Sequence, residues 1–186
     1  MTSAEWTGGV PSAATVVVKR AEGFSAKPYD DNGALPGGTW TIGYGSIIDK
    51  DGKPVTPKTP AITEADAEAL LQRDMLGAAQ EVRQRVQVAL VEYEAAALIS
   101  WTYNVGGNNL AKSTLLQCVN AKQKSRVPEE MRKWIYQEGK PLVGLLRRRW
   151  AEAAIFLGRD PVEACVLAWK YVDNLSDWPA FNPIGA

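Results

Sequence analysis

Between residues 63 and 86, apolar side chains recur at three- and four-residue steps: Ala67, Leu70, Leu71, Met75, Ala78, Val82 and Val86. Such a stripe demands a long amphipathic helix with one face buried. Thr63-Glu64-Ala65-Asp66 opens it as a capping box with Asp in the place of Glu. That face must be covered, and the chain downstream supplies the cover. Helical patterns run over about 91–103, 110–121, 128–137 (Pro128 at a first-turn position) and 143–157, the last stopped by Gly158. Asp160-Pro161-Val162-Glu163 starts one more, with a cap, a first-turn proline and a capping glutamate. Upstream, residues 12–24 form a short helix ending near Gly23, and residues 25–62 break the helical pattern altogether. They carry turn signals at Asn32-Gly33, Pro36-Gly37-Gly38 and Asp51-Gly52, around an alternating strand, Thr39-Trp40-Thr41-Ile42-Gly43-Tyr44-Gly45. The expected fold class is α+β, predominantly helical: a first helix, a small β-hairpin lobe, a long connecting helix and a larger helical lobe. Two lobes so joined leave a cleft, which suits an extended polymer better than a small metabolite. The tail after Lys170 is expected to be irregular.

Composition narrows the chemistry before any motif is read. The chain has no histidine, so a Ser-His-Asp triad, a Cys-His pair and a His-rich catalytic zinc site cannot be built. Carboxylates, Lys, Tyr and Cys remain for acid–base work, and neither metal nor cofactor is called for. Lys+Arg and Asp+Glu are both 21, so no global field draws the chain to nucleic acid or an anionic membrane. Hydrophobic residues make up 46% of the chain, enough for a proper core rather than a disordered state. Cys118 and Cys165 stand alone in apolar runs and are read as small buried hydrophobes rather than a bridge. The N-terminus carries Glu5 and only short apolar runs such as Val16-Val17-Val18, unlike a secretory signal, and no segment is apolar over the length of a membrane span.

Glu22 falls at the end of the first helix, Asp30 and Asp31 where the hairpin lobe begins, and Thr41 on the alternating strand. Glycoside hydrolysis needs a carboxylic acid to protonate the leaving oxygen and a carboxylate to activate water or stabilise the oxocarbenium-like transition state. A glutamate beside an apolar neighbour such as Phe24 can stay protonated through desolvation. By themselves, a Glu and an Asp at this separation read equally as two solvated surface charges.

The surroundings add order and spacing. Glu22-Gly23, Pro28-Tyr29-Asp30-Asp31 and Thr39 through Gly45 together resemble the active-site signature of the phage-type lysozymes (endolysins; glycoside hydrolase family 24). In that family a helix-ending Glu is followed by an Asp after eight intervening residues and a Thr within a T-[IV]-G-x-G run. The resemblance continues through Trp101-Thr102-Tyr103-Asn104-Val105-Gly106, Ser113-Thr114-Leu115-Leu116, Val119-Asn120-Ala121 and Trp134-Ile135-Tyr136. It closes with Gly139-Lys140-Pro141-Leu142-Val143-Gly144-Leu145 through Arg147-Arg148-Arg149. It spans about residues 13–157. It implies a lysozyme-like fold with residues 1–12 as an extension, 13–157 as the lysozyme domain (13–62 first helix and β lobe, 63–157 helical lobe), and 158–186 as a C-terminal helix and tail packed on it. Two departures stand out. Nine residues separate Asp31 from Thr41, more than the family usually has, which keeps Asp30 open as the alternative. Ser46 stands where many relatives have His after the T-[IV]-G-x-G run.

By resemblance, Glu22 is the acid, Asp31 the second carboxylate and Thr41 the threonine that helps place the water. Asn104 matches a cleft-facing position able to hydrogen-bond a sugar or its acetamido group, or it is simply a turn residue before Gly106-Gly107. Arg147 and Arg148 hold the cleft, or bind peptide-stem carboxylates, or form a solvated helix face. Tyr29 packs or supports the cleft wall beside the substrate, whereas Trp40 and Tyr44 either stack on sugar rings or, as the alternation favours, pack the lobe. The implied activity is hydrolysis of the β-1,4 bond between N-acetylmuramic acid and N-acetylglucosamine in bacterial peptidoglycan. A lytic transglycosylase, which uses one Glu alone, and a non-catalytic wall-binding or virion component are the alternatives. The implied agent is a monomer without stable membrane insertion. It waits in the cytoplasm of an infected bacterium until a holin opens the way to the wall.

Overall fold

The computed structural model describes residues 4–31 and 39–181. The turn signals at Asn32-Gly33 and Pro36-Gly37-Gly38 lie outside the described residues. Helix α1, Ser12–Glu22, is followed by an antiparallel pair, β1 (Ser25–Asp30) and β2 (Trp40–Gly43), in which Tyr29 faces Thr41 and Asp30 faces Trp40. Helix α2, Glu64–Arg85, leads into α3 (Glu92–Val105), α4 (Gly107–Lys112), α5 (Thr114–Asn120), a 3-10 turn at Lys124–Arg126, and α6 (Val127–Arg132). A second hairpin, β3 (Tyr136–Gln137) and β4 (Lys140–Pro141), precedes α7 (Val143–Phe156) and α8 (Pro161–Tyr171).

The capping box of α2 forms as the sequence predicts. The Thr63 side chain accepts from the Asp66 backbone N–H, and the Asp66 carboxylate accepts from the Thr63 N–H at 3.0 Å. The predicted stripe is buried from Ala67 to Val82. It packs on α3, where every residue from Glu94 to Thr102 is buried. A helix buried on all sides is the centre of its domain, and α1, α2 and α7 surround α3. At an apolar transfer value of about 25 cal/mol per Å², this helix-on-helix interior is the main favourable term of the fold. Cys118 and Cys165 are both buried and unbridged.

The small lobe is latched onto α2. Gly43 adopts φ +70, and a Cβ there would stand 2.9 Å from the Cβ of Ala67, so only glycine lets β2 approach the helix. Tyr44 donates to Glu64 at 2.7 Å, Ser46 donates to Asp74 at 2.5 Å, and Arg73 donates to the carbonyls of Ile48 and Asp49.

Two helices differ from the sequence expectation. The pattern over 110–121 is broken at Ser113, whose extended backbone and hydroxyl, accepting from Leu116 N–H at 3.0 Å, start α5 afresh. The pattern over 128–137 stops at Arg132, because Glu138 (φ 50) and Gly139 (φ 76) make the two-residue turn with positive φ that a tight hairpin requires. The tail is irregular but anchored: Trp150 donates to the Pro179 carbonyl at 2.9 Å, and its ring stacks on Phe181 at 5.2 Å.

Candidate active site

Ala14, Val18 and Glu22 lie at four-residue steps on one face of α1. The first two are buried, so the same face delivers Glu22, one turn further on, to the edge of the core. Gly23 ends the helix there with φ 72. A cleft of ≈ 750 Å³ opens at that point, lined by Glu22 from α1, Asp31 from the hairpin lobe, Asn104 and Asn109 from the helical lobe, and Arg148 from α7. A smaller recess adjoining it is also lined by Glu22 and Asp31, together with Tyr29 and Phe24. The structure therefore brings Glu22, Asp31, Asn104 and Arg148 around one opening, with Tyr29 in the recess beside it, whereas Thr41 lines neither.

Behind the cleft lies a charged network. Arg148 donates to Glu22 at 2.7 Å, to Glu152 at 3.2 Å and to the Ser100 carbonyl at 3.4 Å. Ser100 donates to the same Glu152 oxygen at 2.7 Å. Arg149 lies against Glu152 at 3.0 Å and donates to Asn104 Oδ1 at 2.9 Å. Arg149 and Glu152 are wholly buried and Arg148 nearly so. Burial lowers Arg149 to about 10 against the opposing pull of Glu152, so it remains a cation at neutral pH. Both buried guanidinium groups meet the buried Glu152 carboxylate, the pairing that burial at this depth requires, and Glu22, 37% exposed, meets Arg148 from the cleft side. With its oxygen held by Arg149, Asn104 has its amide N–H₂ to offer the cleft.

Thr41 sits in β2 opposite Tyr29, and its hydroxyl is buried with no protein partner. An unsatisfied buried hydroxyl is costly, and a water or substrate atom would satisfy it. Tyr103, one residue before Asn104, has its phenol pushed up to about 12, first by burial and then by the charges of Asp74 and Glu22.

Residues 19–152 match the family model described as phage lysozyme. The chain belongs to the phage lysozyme family. It is similar to a SAR-endolysin of bacteriophage PS119, with 34% identity over 81% of this chain and 89% of the relative. Among solved structures it is similar to an endolysin from the Escherichia coli O157:H7 phage FAHEc1, at TM-score 0.72 and 32% identity, covering 83% of this chain and 97% of the other. It is also similar to the muramidase domain of SpmX from Asticaccaulis excentricus, at TM-score 0.67 and 28% identity, covering 81% and 98%. The enzyme is a peptidoglycan-hydrolysing lysozyme of the phage endolysin type, with the lysozyme-like α+β fold.

In this lysozyme three sequence expectations change. Phe24 does not enclose Glu22: its ring is 42% exposed and packs on Tyr44 at 5.7 Å, and the nearest partner of Glu22 is Arg148. Of the readings open for Arg148, the solvated face gives way to the one that holds the cleft, because its guanidinium is engaged by Glu22, Glu152 and the Ser100 carbonyl. Arg147 points elsewhere, donating to the Val172 carbonyl and to Asp173, both at 2.8 Å, and so ties α7 to the chain beyond α8. Sequence reasoning missed Trp134, Tyr136, Leu142 and Trp169, which also line the cleft. The exposed aromatic at the head of a Glu-Gly turn was the available signal for Tyr136.

Proposed function

We propose that this lysozyme cleaves the β-1,4 bond between N-acetylmuramic acid and N-acetylglucosamine, with Glu22 as the general acid, Asp31 as the second carboxylate and Thr41 holding the water. The observation that supports the reading is that Glu22, at the end of α1, and Asp31, just past β1, line the same cleft and the recess adjoining it. Glu22 gives a proton to the glycosidic oxygen as its bond to the anomeric carbon breaks. Asp31 stabilises the positive charge that grows on the sugar ring, or takes a proton from the attacking water. The water-placing role goes to Thr41 by its place in the signature, on β2 opposite the Tyr29 that lines the recess; its buried hydroxyl lines neither opening and is left with no protein partner. Asn104 offers its amide donor to an acetamido carbonyl, and Tyr29 walls the recess beside the bond. The cleft residues named here all come from one chain, and we read the enzyme as acting as a monomer.

Glu22→Gln keeps the shape and removes the proton. Turnover of purified peptidoglycan should fall by at least ~100-fold with little change in melting temperature, and a variant near wild-type rate overturns the assignment. Product analysis separates the chemistry: new reducing ends support hydrolysis, and anhydro ends support a transglycosylase.

Delivery is part of the same proposal. No helix among the described residues is long and apolar enough to cross a membrane, and residues 4–6 are tied to the start of α3, with Glu92 N–H donating to the Ala4 carbonyl at 3.0 Å and Trp6 N–H to the Leu90 carbonyl just before it at 2.8 Å. We read the enzyme as accumulating in the host cytoplasm and reaching the wall through a holin. Expressed alone in a Gram-negative host, it should leave cells intact until the inner membrane is opened chemically. Spontaneous lysis that needs residues 1–18 and the secretion machinery would sink the holin requirement and leave the enzymology untouched.

A further inference from the structure

Trp169 belongs to α8, which lies beyond the residues 19–152 that match the family, yet its side chain lines the same cleft as Glu22. The local sequence puts it there. Asp160 caps α8 by accepting from the Val162 and Glu163 N–H groups, Pro161 occupies the first turn, and Ala164, Cys165 and Ala168 are buried. That small-residue face lets α8 close against α7 and α1. Trp169 follows Ala168 directly, so its bulk projects from the edge of the contact, partly exposed, onto the end of α1. There the guanidinium of Arg20, two residues before Glu22, lies over the indole with its carbon 5.1 Å from the ring centroid. A cation over an aromatic face holds it, and this one holds the ring beside Ala21 and Glu22, which line the same opening.

The cleft is aromatic elsewhere too. Trp134 is braced edge-on by buried Trp101 at 5.0 Å, and Tyr136 is 63% exposed. A pyranose ring presents a face of polarised C–H bonds, which complements the negative face of an aromatic ring. A large, rigid indole that stays accessible beside the acid of a glycan hydrolase is therefore more than a packing group. We propose that Trp169 is a sugar-stacking residue, so that α8 adds to the cleft a saccharide subsite of its own. The proposal rests on the glycan strand lying in the Glu22 cleft.

The experiment uses the full chain and two replacements. Trp169→Leu keeps apolar bulk but loses the flat π face, whereas Trp169→Phe keeps a flat ring. In a Glu22→Gln background, which isolates binding from turnover, the affinity for tri-N-acetylglucosamine is measured by calorimetry. Trp169→Leu should weaken it by roughly three- to tenfold, the scale of an aromatic stacking contact, and Trp169→Phe should recover most of the loss. In the enzyme with Glu22 intact, the Leu variant should raise KM on soluble glycan fragments more than it lowers kcat. Affinity and KM unchanged in Trp169→Leu overturn the proposal. Equal losses in the Leu and Phe variants, matched by equal falls in melting temperature, also overturn it, because the indole would then only brace α1. Neither outcome bears on Glu22, whose role is read from turnover alone.

Discussion

Arg148 on α7 donates to Glu22 on α1 at 2.7 Å, across 126 positions of sequence. The same guanidinium is shared with Glu152 and the Ser100 carbonyl, so one buried side chain aligns the proposed acid and joins three helices. Arg148→Ala leaves Glu152 buried beside fewer compensating charges. Breaking a buried pair in this way costs about 3–5 kcal/mol. Urea denaturation should show that loss, and Arg148→Lys should recover only part of it, because an ammonium cannot span the positions that the planar fork reaches. Stability unchanged in Arg148→Ala would mean that the network contributes nothing to folding.

Asp31 lines the cleft, whereas the neighbouring Asp30 is held in β1 opposite Trp40. Asp31→Asn should lower turnover of peptidoglycan by about 100-fold, the low end for a residue acting on protons in the transition state, and Asp30→Asn should cost far less. The opposite ranking, in rates measured on the same substrate, would transfer the second-carboxylate role to Asp30.

Ser46 is buried and donates to Asp74 at 2.5 Å, which fastens the small lobe to α2. Ser46→Ala removes a donor from a charged acceptor, worth about 1.5–3 kcal/mol, partly offset because Arg73 also reaches Asp74 at 2.9 Å. The fall should appear in thermal denaturation. With a hydroxyl at this contact and no histidine in the chain, the latch contains no imidazole to titrate between pH 5 and 8.

Tyr103 carries a phenol raised to about 12, chiefly by burial. In the unfolded chain the group ionises near 10, whereas in the folded enzyme it holds its proton. Between those values the native state binds more protons, so stability falls as pH rises from about 10 to about 12. Below pH 10 the contribution is fully present. Tyr103→Phe should flatten this alkaline limb in denaturation curves measured at several pH values, and an unaltered limb would assign it to other groups.

Much of the fold was legible because local rules agree with the tertiary outcome. The capping box at Thr63, the stripe from Ala67 to Val82, the stop at Gly23 and the Asp160-Pro161 start each act within a few residues, and each appears as read. Spacing by itself left Glu22 and Asp31 as readily two surface charges as a site, and it was the resemblance that singled them out with Thr41; the structure brings Glu22 and Asp31 to one cleft. The second hairpin escaped because two-residue strands are too short to show a period, and only the Glu138-Gly139 turn betrays them.

What the sequence by itself determined, then, is where helices begin and end and which face each one buries, since capping groups and apolar steps are contained in the segment. What only the tertiary structure decided is the fate of charged and aromatic side chains whose partners are distant. Arg147 and Arg148 are the same residue type in adjacent positions, yet roughly 100° of helical rotation turns one to Asp173 and the other to Glu22. Trp169 lines the cleft only because the small face of α8 closes on α7 and α1. A side chain's chemistry is written locally, but its electrostatic surroundings are set by segments that meet only when the core has packed.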